Sequence, residues 1–187
     1  ALTNLHVIKG GKKVFLFTKD GKAHKCELAL TDKENDLAVL KVLDSNFAFA
    51  KGMVPYKLDN KAQLAERIFT LGYPKNEIVY NEGYISSLNG KEGDSTKYQL
   101  ELPSSPGVSG APVLDANGNL VGIVNSKESK SLGITYAIKS KVVENLLDSL
   151  QAPFSKSSLN SNSFGSRNRT SQIEALNDFI FMVKVYK

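Results

Sequence analysis

A serine surrounded by small residues is the first candidate for chemistry in this chain. Ser109 lies in the stretch Pro-Gly-Val-Ser-Gly-Ala-Pro of residues 106–112, directly before an apolar run. Such a tight turn can expose a serine hydroxyl as a nucleophile, although an ordinary turn is the alternative interpretation. Because Gly107 tolerates unusual backbone angles, its N–H and that of Ser109 can point at one spot. Two N–H groups arranged in this way would form an oxyanion hole.

A histidine and an aspartate earlier in the chain could activate that serine. His6 lies in the segment Leu-Thr-Asn-Leu-His-Val of residues 2–7, and Asp36 directly precedes the run Leu-Ala-Val-Leu. Each also has a simpler interpretation, His6 as a core or turn residue and Asp36 as a loop residue. A nucleophilic serine needs a general base, and the base needs a carboxylate to orient it, so the three together predict nucleophilic catalysis. The other histidine, His24, alternates with lysines and is predicted to face solvent.

Short strands separated by turns must position these residues. Asp20-Gly21 and Asn117-Gly118 are typical of hairpin turns. Many short strands with regular turns favour an all-β barrel or sandwich. The runs with strand character are residues 14–18, 23–30, 37–42, 67–71, 78–80, 83–86, 98–102, 112–114 and 120–124. One helix is predicted at residues 140–150, where Ser140 can cap a stripe of valines and leucines.

The order His6, Asp36, Ser109 along the chain is the order found in the chymotrypsin fold. The motifs around these residues resemble those of the trypsin-like serine proteases, and in particular the HtrA/Deg type. The resemblance covers residues 1 to about 150. It rests on the histidine motif at 2–7, the aspartate motif at 32–42, the serine motif at 98–114, and the segments 70–74, 83–87, 118–124 and 133–140.

The resemblance implies a fold, an activity and a set of site residues. The fold would be two antiparallel β-barrels with the active site in the cleft between them. The activity would be that of a serine endopeptidase with His6, Asp36 and Ser109 as the catalytic triad, an oxyanion hole at Gly107 and Ser109, and neither metal nor cofactor. The residues expected to form the substrate-binding S1 pocket and its strand wall are Pro103, Val124, Asn125 and Ser126. Since Pro103 carries no charge at the pocket floor, small or aliphatic P1 residues are expected.

The chain departs from the family pattern in several places. Val108 stands where the family usually has asparagine, and Ala111 stands where it has a second glycine after the serine. No strands precede the histidine, and no PDZ domain follows, so we expect a first barrel that is truncated at its N-terminus. The alternative function is therefore a non-catalytic or truncated protease-like domain that binds peptides or a partner.

The chain divides into three parts by composition. Residues 1–153 form the expected protease domain, and residues 154–172, rich in serine and asparagine, are predicted to be a flexible linker. Residues 173–187 are apolar again. We predict a short helix over residues 172–178, with Ile173 and Leu176 inward, and a strand over residues 179–186 that pairs with the first barrel. The strand would pair within the chain or by exchange with a second copy, which would give a strand-swapped dimer.

Composition excludes other classes of function. The chain has 187 residues and a net charge of +5, without a basic stripe that contains aromatic residues, so nucleic-acid binding is not expected. It has no apolar run long enough to span a membrane, and its single cysteine, Cys26, excludes an internal disulfide and a cysteine zinc site. The partners expected are polypeptide substrates. By resemblance to the family, we expect an extracytoplasmic location.

Overall fold

The protein folds into two β-units joined by a shared apolar core. The computed structural model of the chain describes residues 1–45, 47, 57–103, 107–125, 133–150 and 164–187. One unit is an open, curled sheet, and the other is a closed barrel. The all-β prediction is confirmed, and the arrangement is that of a chymotrypsin-like fold.

The first unit is a five-stranded antiparallel sheet. Along the chain its strands are β1 (Leu2–Asn4), β2 (Lys13–Phe17), β3 (Ala23–Asp32), β4 (Leu37–Val42) and β11 (Met182–Tyr186), and their order in the sheet is β1-β4-β3-β2-β11. The predicted turn at Asp20-Gly21 joins β2 to β3, with the Gly21 N–H donating to the Thr18 carbonyl at 2.9 Å. A one-turn helix α1 (Leu5–Ile8) follows β1 directly. Because β1 lies ahead of His6, the expectation that no strand precedes the histidine is wrong.

The second unit is a six-stranded closed barrel in which every neighbouring pair is antiparallel. Along the chain its strands are β5 (Arg67–Gly72), β6 (Val79–Ser87), β7 (Lys97–Glu101), β8 (Pro112–Asp115), β9 (Leu120–Asn125) and β10 (Ile134–Lys139). Their order around the barrel is β10-β7-β6-β5-β8-β9. The hairpin at Asn117-Gly118 joins β8 to β9 as predicted, and the Asp115 carboxylate accepts the N–H and the side-chain amide of Asn119 at 2.8 Å each.

Apolar residues fill both faces of the barrel strands. One set, which includes Ile85, Leu100 and Val113, fills the barrel. The other set packs against the first sheet, where Leu37 is fully buried. Burial on both faces explains why β8 and β9 are near-continuous apolar runs. The predicted helix is present as α2 (Ser140–Asp148), and it adds Val143 and Leu146 to the core between the units.

The C-terminal segment of residues 164–187 connects the two units. Helix α3 (Arg169–Leu176) is followed by a 3-10 turn over Asn177–Phe179 and then by β11, which pairs antiparallel with β2 from Met182 opposite Phe17 to Tyr186 opposite Lys13. The predicted pairing with the first unit is therefore confirmed, although the strand begins three residues later than expected. Leu176 is fully buried, as predicted, and Ile173 packs beside the same core.

The structure differs from the linker prediction over residues 164–172. The rest of the predicted linker, residues 154–163, lies outside the described residues. Phe164 and Gln172 are buried, and α3 begins within this range, at Arg169. The Asn168 side chain caps α3 by accepting the Ser171 N–H at 2.9 Å, so polar residues that suggest a linker here start a helix. In the described part of the chain, no helix is long and apolar enough to cross a membrane.

Candidate active site

His6 and Asp36 are brought together by the pairing of the first and fourth strands. Asn4, the last residue of β1, lies opposite Leu37, the first residue of β4. His6 follows two residues after Asn4 in α1, and Asp36 comes directly before β4. Both side chains therefore emerge at the same end of one antiparallel ladder.

The His6 ring and the Asp36 carboxylate make a two-point contact. His6 Nδ1 lies 2.5 Å from Asp36 Oδ2, and the His6 backbone N–H donates to Asp36 Oδ1 at 2.8 Å. The side chains are 27% and 15% exposed. Since Nδ1 faces a carboxylate, the proton belongs on Nδ1, and Nε2 is left as the basic nitrogen of the neutral ring.

Ser109 approaches His6 from the barrel. Its hydroxyl oxygen lies 3.2 Å from His6 Nε2. The turn that carries it is tied to β9, because the Gly110 N–H donates to the Val124 carbonyl at 3.0 Å and the Val124 N–H donates to the Ala111 carbonyl at 2.9 Å. The structure thus brings the three predicted side chains into contact, with the imidazole between a carboxylate and a hydroxyl.

Two glycines allow close approaches to the turn that carries Ser109, one by the first sheet and one by the barrel's own connection between β5 and β6. Gly110 has a φ of +86°, and a Cβ there would lie only 2.8 Å from Thr3 Oγ1 of β1. Gly107 has a φ of +97°, and a Cβ there would lie 2.8 Å from the Pro74 carbonyl oxygen. Any side chain would be strained at both positions and would push the turn that carries Ser109 away from its neighbours.

The two departures from the family motif are both accommodated in the barrel core. Val108 and Ala111 are buried there. The Ala111 methyl carbon lies 3.1 Å from the place where a Cβ of Gly72 would be, so a glycine at residue 72 provides the room for it. Both side chains are apolar, and the chemistry considered for Ser109 requires no polar group at either position.

The structure does not place all of the predicted substrate-binding residues beside Ser109. Pro103 is exposed and does not line the cavity beside Ser109, so its assignment to the floor of the S1 pocket is not supported. The Val124 side chain packs inside the barrel, and its backbone groups bond to Gly110 and Ala111, so its place in the strand wall stays a prediction. Asn125 is buried, and neither amide atom has a partner among the described residues. Ser126 lies outside the described residues.

A cavity of about 1060 Å³ opens beside the three side chains. His6 and Ser109 line its wall, which continues between the units and is mostly apolar, with Leu71, Ile123 and Phe179 among its lining residues. Among the described residues that line it, Glu144 is the only acid, and its carboxylate accepts from Lys141 at 2.9 Å. The described residues contain no cluster of three or more side chains that could hold a metal ion.

His24 does not face solvent as the sequence suggested. Its Nδ1 lies 2.8 Å from Asp44 Oδ2, and its side chain is only 11% exposed. Its ring also contacts the edge of Phe47, with 4.7 Å between ring centroids. The alternation of His24 with lysines gave no sign of this pair, because Asp44 lies beyond the neighbouring strand.

Comparison with known proteins gives a family match and several similar proteins. Residues 1–123 match the family model of the trypsin-like peptidase domain. The chain is 28% identical over 162 residues to the serine protease Do-like HtrB of Bacillus subtilis, which covers 80% of this chain and 35% of that protein. It is also 28% identical over 158 residues to a probable periplasmic serine endoprotease DegP-like of a Marinomonas species, with 81% of this chain and 33% of that protein covered.

A solved structure shares the fold. The crystal structure of the serine endoprotease from Yersinia pestis superposes with a TM-score of 0.66 at 24% identity, covering 79% of this chain and 52% of that chain. The chain spans about a third of the length of the two curated relatives named above. Since the family model matches well over half of the residues, the chain belongs to the family of trypsin-like peptidase domains.

Proposed function

We propose that this chain is a serine endopeptidase that cleaves polypeptides through His6, Asp36 and Ser109. The observation that carries the proposal is the continuous contact from the carboxylate to the hydroxyl. Nδ1 of the imidazole is 2.5 Å from Asp36 Oδ2, and Nε2 is 3.2 Å from Ser109 Oγ. These distances match what a base needs in order to take the hydroxyl proton.

In the proposed mechanism, Ser109 Oγ attacks the scissile carbonyl carbon while His6 Nε2 takes its proton. The imidazolium that forms is stabilised by Asp36, which stays ionised throughout. His6 then gives the proton to the leaving amine, and an acyl group remains on Ser109. A water molecule, activated by the same nitrogen, hydrolyses this ester and restores the free serine.

The proposed oxyanion hole consists of the backbone N–H groups of Gly107 and Ser109. Gly107 is exposed, and none of the described residues accepts its N–H, which is therefore available to a substrate oxygen. Its φ of +97° is an orientation that only glycine adopts at low cost. Losing one donor of such a pair costs about 3–4 kcal/mol of transition-state stabilisation in comparable enzymes.

We propose that small or aliphatic residues are preferred at P1. The support is the lack of a free carboxylate among the described residues of the cavity wall, where Glu144 is already paired with Lys141. A cationic P1 side chain would find no counter-charge in this part of the wall. Cleavage of a peptide library tests the preference, and a strong bias toward arginine or lysine would refute it.

The location and the oligomeric state are also proposals. The support for an extracytoplasmic location is the Marinomonas relative, which is described as a probable periplasmic serine endoprotease, and fractionation of the source cells tests it. We propose that β11 exchanges between two copies at high protein concentration, because the pairing edge of β2 is the same in both copies. Light scattering should then detect a dimer whose fraction increases with concentration, and a monomer at every concentration would exclude it.

The central experiment is labelling with a fluorophosphonate, which reacts with activated serines. The chain should be labelled, Ser109→Ala should abolish labelling, and Ser87→Ala, a matched change in β6, should leave it intact. Labelling that survives Ser109→Ala, or a complete lack of labelling in the folded wild type, would contradict the proposal. The second outcome would favour a protease-like domain that only binds peptides.

A further inference from the structure

Asp36 has an unusual backbone conformation for a residue with a side chain. Its φ is +58°, which is the left-handed region. Aspartate tolerates this region better than most residues, yet such a conformation is still unfavourable and persists only when neighbours enforce it. The conformation of Asp36 therefore depends on its hydrogen-bond partners.

Two donors meet at the Asp36 carbonyl oxygen. The Leu5 N–H donates to it at 3.0 Å, and the Asn4 side-chain amide Nδ2 donates to it at 3.2 Å. With the carbonyl held toward β1, the carboxylate turns to the other side, where Oδ1 accepts the His6 N–H and Oδ2 reaches His6 Nδ1. The backbone contact and the side-chain contact therefore depend on one conformation of Asp36.

Asn4 is an energetically unfavourable residue at its buried position. It is fully buried, and its Oδ1 has no hydrogen-bond partner among the described residues. Burying an unpaired polar atom is unfavourable, and an apolar side chain of similar size avoids this cost. The single hydrogen bond that its side chain makes in the described structure is the one to the Asp36 carbonyl.

We propose that Asn4 is a positioning residue for the active site. Its amide keeps Asp36 in the left-handed conformation, and this conformation directs both carboxylate oxygens at His6. Asn4 does not touch the reacting atoms, so it acts only through Asp36. The inference that it affects turnover rests on the proposed function, whereas its effect on the His6–Asp36 contact does not.

The test compares Asn4→Leu, which keeps the approximate volume but removes the donor, with the wild type. The chain contains only two histidines, and both contact an aspartate through Nδ1. In protein with ¹⁵N-labelled histidine, NMR can follow the Nδ1 proton signal of each ring, so His24 is an internal reference. We expect Asn4→Leu to shift or broaden the His6 signal and to leave the His24 signal unchanged.

Kinetics provides the second readout. With a peptide substrate, kcat should fall by about 10- to 100-fold, because the base is misaligned, while KM stays within about twofold. The matched control is Asn119→Ala, which likewise removes one side-chain amide hydrogen bond, here to the Asp115 carboxylate at 2.8 Å in the barrel hairpin. It should lower the thermal midpoint without changing kcat or the His6 signal. Asn4→Ala is the second variant if leucine fails to pack.

The outcomes separate the two proposals. An unchanged His6 signal together with an unchanged kcat in a folded Asn4 variant overturns the positioning role. If the wild type has no peptidase activity at all, the proposed function fails, but the His6 signal still decides whether Asn4 orients Asp36. An equal loss of kcat in Asn4→Leu and Asn119→Ala would assign the effect to general destabilisation and also overturn the inference.

Discussion

Gln172 should contribute strongly to the docking of the C-terminal segment on the barrel. It is 2% exposed, although the sequence around it suggested a flexible linker. Its Nε2 donates to the carbonyls of Ala116 and Phe164 at 3.2 Å each, and its Oε1 accepts from Arg169. The perturbation is Gln172→Ala, which removes all three hydrogen bonds and leaves the buried Phe164 carbonyl without that donor.

The magnitude follows from the character of these bonds. A neutral hydrogen bond contributes about 0.5–1.5 kcal/mol net, and a bond to a charged group contributes about 1.5–3 kcal/mol. The Ala116 carbonyl belongs to an exposed residue and can bond to water once the amide is gone. We therefore expect Gln172→Ala to lower the free energy of unfolding by roughly 2–4 kcal/mol, a large share of a typical domain's stability.

Urea unfolding followed by circular dichroism measures this change. The control is Gln99→Ala, because Gln99 Nε2 makes one part-buried neutral bond, to Ser86 Oγ at 3.2 Å, and its loss should cost about 1 kcal/mol. The denaturant slope should be the same in the wild type and both variants. If Gln172→Ala lowered the free energy of unfolding no more than Gln99→Ala, the hydrogen bonds of Gln172 would not hold the C-terminal segment on the barrel.

Three further predictions concern other parts of the molecule. Gly118→Ala should lower the free energy of unfolding, measured by urea unfolding, more than Gly21→Ala does. Both glycines have a φ of +78°, but only a Cβ at Gly118 would meet a side chain, the Phe164 ring at 2.0 Å. Burial raises the pKa of Asp94, but hydrogen bonds from a neighbouring threonine and lysine outweigh it and lower the pKa below its usual value. Asp94→Asn should therefore destabilise at pH 7, with the difference from wild type fading as the pH falls below about 4; a constant difference would contradict this. Cys26 is buried, and burial raises the pKa of its thiol. Iodoacetamide should therefore alkylate Cys26 far more slowly in the native protein than in urea, and equal rates would be inconsistent with this burial.

The proximity of His6, Asp36 and Ser109 could be anticipated from the sequence because the motifs around them resemble those of the trypsin-like serine proteases. His6, Asp36 and Ser109 each lie beside a strand or a turn with a strong local signal, and the strands bring them together. The helix at residues 140–148 could also be predicted from the sequence, because its apolar residues recur with the helical period.

The features that the sequence did not reveal depend on distant neighbours. Phe164 is isolated among polar residues, and only the absence of a side chain at Gly118 provides a place for its ring. Val124 reads as a strand residue that could face a substrate, but its direction depends on the barrel register, in which it lies opposite Ala137. The role of Asn4 depends on a contact with Asp36 that is 32 residues away in the chain.

The pairing of β11 with β2 has a consequence for the synthesis of the protein. Phe17 and Met182 face each other although about 165 positions separate them in the chain. At about 5–20 residues per second on the ribosome, β2 waits roughly 8–33 s for its last neighbour. Throughout that time its open edge can pair with other nascent chains. The sheet that contains His6 and Asp36 is therefore completed after every strand of the barrel has been synthesised, and a ribosome stalled before residue 182 would present this edge for as long as it stayed stalled.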